Sequence, residues 1–117
     1  MAKEIRENLD DLFEILSKGQ FLEGMEKYLH DDVVLREGNA EPKVGKAHCM
    51  ALEKEVLEGV GEFIRYEVSS SAVANDTSFY EAIMEYKEKN GNHVKVEQAV
   101  VSQWKDGKII HERFYHS

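Results

Sequence analysis

The two halves of the chain follow different hydrophobic periods. Ile5, Leu9, Leu12, Phe13 and Leu16 recur at three- and four-residue spacing. That spacing predicts an amphipathic helix over residues 3–18, closed by Gly19 in the C-cap position. Phe21, Leu22, Met25, Tyr28 and Leu29 mark a second, shorter helix over 20–29. "DDVVLRE" reads as a short strand and "GNAEPKVG" as a loop punctuated by glycine, asparagine and proline. Cys49, Leu52, Val56 and Val60 then form the stripe of a third helix over 45–59. After Gly61 the period falls to two. Ile64, Tyr66 and Val68 alternate with polar neighbours, as do Tyr80, Ala82, Met84 and Tyr86. "NGN" at 90–92 is a hairpin turn signal, and "HVKVEQAVVSQWK" and "KIIHERFYH" complete a four-strand antiparallel meander. Helices grouped first and strands grouped last predict an α+β fold, with three N-terminal helices packed on a bent, mainly antiparallel sheet.

The register of the last hairpin decides which side Glu112 faces. A two-residue Asp106-Gly107 turn puts Trp104 on one face with Ile109, His111, Arg113 and Tyr115. A three-residue Lys105-Asp106-Gly107 turn, with Gly107 left-handed in a bulge, pairs Trp104 with Lys108. Trp104 then shares its face with Ile110, Glu112, Phe114 and His116. The second reading is favoured because it gathers Val100, Trp104, Ile110 and Phe114, with Gln98, Ser102, Glu112 and His116 interspersed. An apolar surface with a few converging polar groups has the composition of a ligand pocket.

Composition narrows the classes of function. The 117 residues suit one domain, which at this size buries about two-thirds of its unfolded surface. The net charge is −8, and no basic stripe exists to displace the counterions of a nucleic acid, so none is expected as a partner. No apolar run approaches membrane-spanning length, and the charged N-terminus does not read as a secretory signal. Cys49 is the only cysteine, which excludes an intrachain disulfide and fits a reducing compartment. Cytoplasmic localisation is the expectation. His48, His93, His111 and His116 show no metal-ligand spacing, Cys49 has no evident neighbouring base, and there is no glycine-rich phosphate loop. Neither a metal nor a cofactor is expected.

Three stretches, "KGQFLEGMEKYLHDDVVLREGNAEPKVGK", "AVANDTSFYEA" and "WKDGKIIHERFYH", resemble segments of the nuclear transport factor 2-like superfamily. That superfamily includes ketosteroid isomerases and SnoaL-like polyketide cyclases. With the element order, the resemblance covers nearly the whole chain and implies one such domain over residues 1–117. It implies a cone-shaped sheet around an apolar internal pocket, helices closing one side, and homodimers formed through the outer sheet face. The isomerases' catalytic base aligns with Glu37, one methylene longer than the family's aspartate. Their two oxyanion donors, a tyrosine and a protonated aspartate, align with Leu12 and Val100, neither of which can donate a hydrogen bond. Steroid isomerisation by that arrangement is therefore not expected.

The expected function is that of a small-molecule pocket holding an apolar organic ligand. One version is a cofactor-free isomerase or cyclase moving a proton beside a carbonyl, with Glu37 as general base and Glu112 or His48 as the second catalytic group. The other is a non-catalytic binding or dimerisation module, because the fold hosts both. Trp104, Phe114, His116, Met84, Tyr66 and Ser102 are the candidate ligand-binding residues. Glu112 and His116 lie about 13 Å apart along their strand, so an inward Glu112 needs another partner, with Tyr66, His48 and Ser102 as candidates.

Overall fold

The computed structural model describes residues 2–116. In it, helix α1 (Ala2–Ser17) buries Ile5, Leu9 and Leu12 against the sheet. Gly19 ends this helix for two reasons. Its φ of +77° is a conformation that a side chain disfavours, and a Cβ there would meet the Phe63 ring at 2.9 Å. The short helix α2 (Phe21–Tyr28) then turns back across α1. Gly24 makes the crossing close, since a Cβ at that point would sit 3.1 Å from Leu12 Cδ1. Asp11 secures the pair by accepting from Lys27 Nζ at 2.7 Å and from the Tyr28 hydroxyl at 2.5 Å.

The chain runs from α2 straight into β1 (Leu29–Glu37), so Leu29 belongs to the strand rather than to the preceding helix. The segment after it is not wholly irregular. Lys43–Val44 forms a two-residue strand, β2, that pairs antiparallel with β1. Helix α3 (Lys46–Glu58) follows, then four long strands: β3 (Val60–Ala74), β4 (Thr77–Glu88), β5 (His93–Lys105) and β6 (Lys108–His116). The sheet order is β2-β1-β6-β5-β4-β3. The four long strands form the expected antiparallel meander, and β1 lies parallel to β6 at its side, which makes the sheet mixed. Register shifts along β3 and β6 insert single unpaired residues, and such bulges bend and twist a sheet. The result is a strongly curved, unclosed six-stranded sheet with three helices packed on it.

The last hairpin differs in detail from the favoured reading. Asp106 (φ 55°) and Gly107 (φ 77°) both lie in the left-handed region, and Lys105 pairs with Lys108. This is a two-residue turn, for which Asp-Gly is a preferred pair. The bulge occurs one step later: Trp104 pairs with Ile109 and Gln103 with His111, leaving Ile110 as the extra residue. The displaced bulge restores the expected face for most of the strand. Trp104, Ser102, Val100 and Glu112 are buried, but Ile109 rather than Ile110 is the inward isoleucine. Leu9, Val33, Val100 and Ile109 form the most deeply buried part of the core, each contributing about 1.5–3 kcal/mol.

Candidate functional site

The helices do not fill the concave side of the sheet. A cavity of about 320 Å³ remains between them and strands β1, β3, β4, β5 and β6. Its walls are apolar: Leu12 and Leu16 from α1, Phe21 and Met25 from α2, Leu52 from α3, and Met84 and Phe114 from the sheet. Two groups of polar residues interrupt them. Tyr66, Tyr80, Gln98 and Glu112 lie at the inner end, and Glu37, Lys43 and Glu53 surround the mouth.

The inner group forms a directed network. Gln98 Nε2 donates to the Tyr66 hydroxyl at 3.2 Å, and that hydroxyl donates to Tyr80 at 3.5 Å. From the other side, Ser102 Oγ donates to Glu112 Oε2 at 2.5 Å. Each residue owes its place to the two-residue period of its strand. Tyr66 pairs with Met84 across β3 and β4, Ala82 with Gln98 across β4 and β5, and Ser102 with Glu112 across β5 and β6. Among the described residues, Glu112 Oε1 has no protein partner, and Glu112 and Tyr80 both face the cavity.

Burial dominates the protonation chemistry here. It raises the Glu112 carboxyl from its ordinary 4.5 to about 7, against the opposing pull of the Ser102 hydrogen bond. Near neutral pH, Glu112 therefore carries a proton about half the time and can act as a donor. Burial also pushes the Tyr66 hydroxyl to about 12 and Tyr80 well above its usual value, with the nearby Glu112 charge adding to both shifts. Both tyrosines remain neutral donors.

The structure gathers some of the anticipated residues and disperses others. Glu37, Glu112, Tyr66, Met84 and Phe114 line the cavity. Glu37 stands at the rim, its side chain about half exposed, with His116 Nε2 at 3.3 Å from its carboxylate. Leu35 pairs with Glu112 in the parallel β1–β6 ladder, so Glu37 lies one strand across and two residues along from Glu112. That offset places their Cα atoms about 8 Å apart. Ser102 is fully buried behind Glu112 and serves it rather than the cavity. Trp104 is core: its indole donates to Ser78 Oγ at 2.9 Å and packs edge-on to Tyr28, outside the lining. His116 is exposed beside the mouth, and His48 is exposed on α3 away from the lining, next to the buried Cys49. His48 is thus no partner of Glu112; that role belongs to Ser102.

Tyr80 and Gln98 lie on faces that the two-residue period already assigns inward, though neither was among the candidate ligand-binding residues. Glu53 escaped the sequence reading. It shares a helical face with Cys49, Leu52 and Val56, so the α3 stripe carried its signal. Burial raises the Glu53 carboxyl, Lys43 opposes that shift and Glu37 adds to it. Among the described residues, no group of three or more histidine, cysteine or acidic side chains is placed to hold a metal ion. No helix among them is long and apolar enough to cross a membrane.

Known proteins agree with this architecture. The family model for the SnoaL-like domain matches residues 9–112, and the chain belongs to that family. No curated protein sequence matches it. A Mesorhizobium loti structure, named as a SnoaL-like polyketide cyclase and, in brackets, a carbohydrate phosphatase, is 25% identical with a TM-score of 0.76. The match covers 95% of this chain and 97% of that one. A Jannaschia sp. CCS1 structure, also named as a SnoaL-like polyketide cyclase, is 15% identical with a TM-score of 0.85, covering 100% and 88%. An M. tuberculosis LEH-like epoxide hydrolase is 16% identical with a TM-score of 0.81, covering 99% and 84%. The last two are likenesses of fold alone, and the names span more than one chemistry.

Proposed function

We propose that the protein is a cofactor-independent acid–base catalyst that binds a compact, largely apolar carbonyl compound and moves a proton beside the carbonyl. The observation that carries this reading is Glu112 Oε1, which has no partner among the described residues and shares the inner end of the cavity with the Tyr80 hydroxyl. A neutral Glu112 and Tyr80 both donate toward one carbonyl oxygen, in a site walled from water. They supply what Leu12 and Val100 lack. Glu37, at the rim of the same face, takes the proton from the carbon next to the carbonyl. The electron pair of that C–H bond becomes the enolate, whose oxygen the two donors hold. Glu37 then returns the proton to another carbon of the conjugated system. A cavity of 320 Å³ suits a molecule of one or two rings, since ligand pockets run from about 300 to 1,000 Å³.

The half-exposure of Glu37 and its contact with His116 favour one other reading, a site that binds such a molecule without turning it over. Deuterium uptake separates the two. Cyclic enones incubated with the protein in D₂O and followed by proton NMR should exchange hydrogen next to the carbonyl, and Glu37→Gln should abolish this. Binding of the enones without exchange above background would leave only the second reading. We further propose that the protein acts as a homodimer through the outer sheet face, where Phe79 and Tyr115 are exposed beside Ala99 and Val101.

A further inference from the structure

We infer that the ligand carries a basic nitrogen at the end opposite its carbonyl, held at the cavity mouth by Glu53. This deepens the reading above and depends on it, because it assumes that the cavity holds an oxygen at its inner end.

The argument begins with α3. Cys49, Leu52, Glu53 and Val56 are the residues this helix turns toward the cavity, and Glu53 alone of them carries a carboxyl group. A carboxylate that has lost much of its hydration is normally paired or hydrogen-bonded, since leaving it unpaired is costly. Glu53 is partly buried, yet among the described residues it makes no hydrogen bond and has no cation within 4 Å. Lys43, the nearest basic group on the lining, acts on Glu53 through space without forming an ion pair. Glu37 adds a second negative charge at the same opening.

The groups within electrostatic reach of Glu53 are Glu37 and Lys43 on β1 and β2, and Tyr66 and Tyr86 on β3 and β4. Glu37 has His116 Nε2 at 3.3 Å, whereas Glu53 has no such neighbour among the described residues, and the chain as a whole carries a net charge of −8. Such a field draws cations in and repels carboxylates.

Independent evidence that a ligand belongs here lies at the other end. Glu112 is only 8% exposed, and its Oε1 opens onto the cavity without a protein partner. The cavity therefore offers hydrogen bonds at its inner end, apolar walls along its length, and an unpaired carboxyl group at its mouth. A molecule that satisfies all three has an acceptor oxygen, an apolar one- or two-ring body and a distal ammonium.

Three naphthols test this, identical except for an aminomethyl, hydroxymethyl or carboxylate group on the distal ring. Isothermal titration on the intact protein should show the amine binding about 10- to 100-fold tighter than the alcohol, the range expected for a charge-assisted hydrogen bond. The carboxylate should bind weakest. Glu53→Gln should bring the amine and the alcohol to the same affinity. Because the readout is a ratio on one preparation, partial loss of folded protein does not imitate it. An alcohol that matches the amine in the unaltered protein overturns this inference and leaves the proposed function standing, as does Glu53→Gln lowering both affinities equally. If none of the three binds, the proposed function falls with it.

Discussion

Replacing Glu112 by glutamine removes a buried proton-binding site while keeping its shape and its acceptor for Ser102. The carboxyl titrates near 7 when folded and near 4.5 when unfolded, because burial disfavours its charge. Between those values the folded protein holds a proton that the unfolded chain releases. The stability contributed by this group is therefore full below pH 4.5 and is lost as pH rises through about 7. At about 1.4 kcal/mol per pH unit, the loss comes to about 3 kcal/mol, most of it between pH 5 and pH 8. Urea denaturation of both proteins at those two pH values measures it. The stability of the unaltered protein minus that of Glu112→Gln should fall by about 2–3 kcal/mol from pH 5 to pH 8. Other titrating groups largely cancel in this difference. A difference that does not change with pH would show that Glu112 titrates alike in both states, and the account of its burial would be refuted. A rise with pH would mean that the ionised form is the stabilised one.

Glu112→Leu should strand the Ser102 hydroxyl in the core, and adding Ser102→Ala to it should recover about 1–3 kcal/mol in the same urea assay. No recovery would mean that Ser102 finds another acceptor. Gly19→Ala should cost about 1–3 kcal/mol, because it meets both a positive φ and the Phe63 ring, and a change in melting temperature within error would contradict that. Light scattering should give about twice the 13.5 kDa chain mass at micromolar concentration, and Phe79→Asp should halve it. A single-chain mass for the unaltered protein would exclude the proposed dimer.

Local pattern accounts for what could be read before the fold was in view. Tyr80, Ala82 and Met84 alternate cleanly, so their inward face followed from period alone. Glu112 could be placed only through the last hairpin, and there the sequence admitted two registers. The structure combines them: a two-residue turn followed by a bulge at Ile110, which the turn residues cannot signal because it depends on how β5 and β6 twist together. His48 was set on the third helix correctly but turned outward, since an i, i+3, i+4 stripe selects Cys49, Leu52, Glu53 and Val56. Glu53 was overlooked because a charged residue does not register as part of an apolar stripe. The pairing of β1 with β6 left no local trace, because parallel neighbours distant along the chain are joined by tertiary packing alone.

That pairing orders events during synthesis. Leu29 emerges from the ribosome early, but its ladder partner Ile109 lies almost at the other end of the chain. Contacts so far apart along the chain are slow to form, whereas the hairpins joining β3, β4, β5 and β6 need only short turns. The meander should therefore assemble first, with β1 docking on β6 as the closing step. Glu37 sits on one of these strands and Glu112 on the other, so the cavity's two acidic ends come together only at that moment. Native-state hydrogen exchange should find the β1–β6 ladder opening more readily than the β4–β5 ladder. Heat or denaturant that frays this one seam would dismantle the site while most of the sheet is still paired.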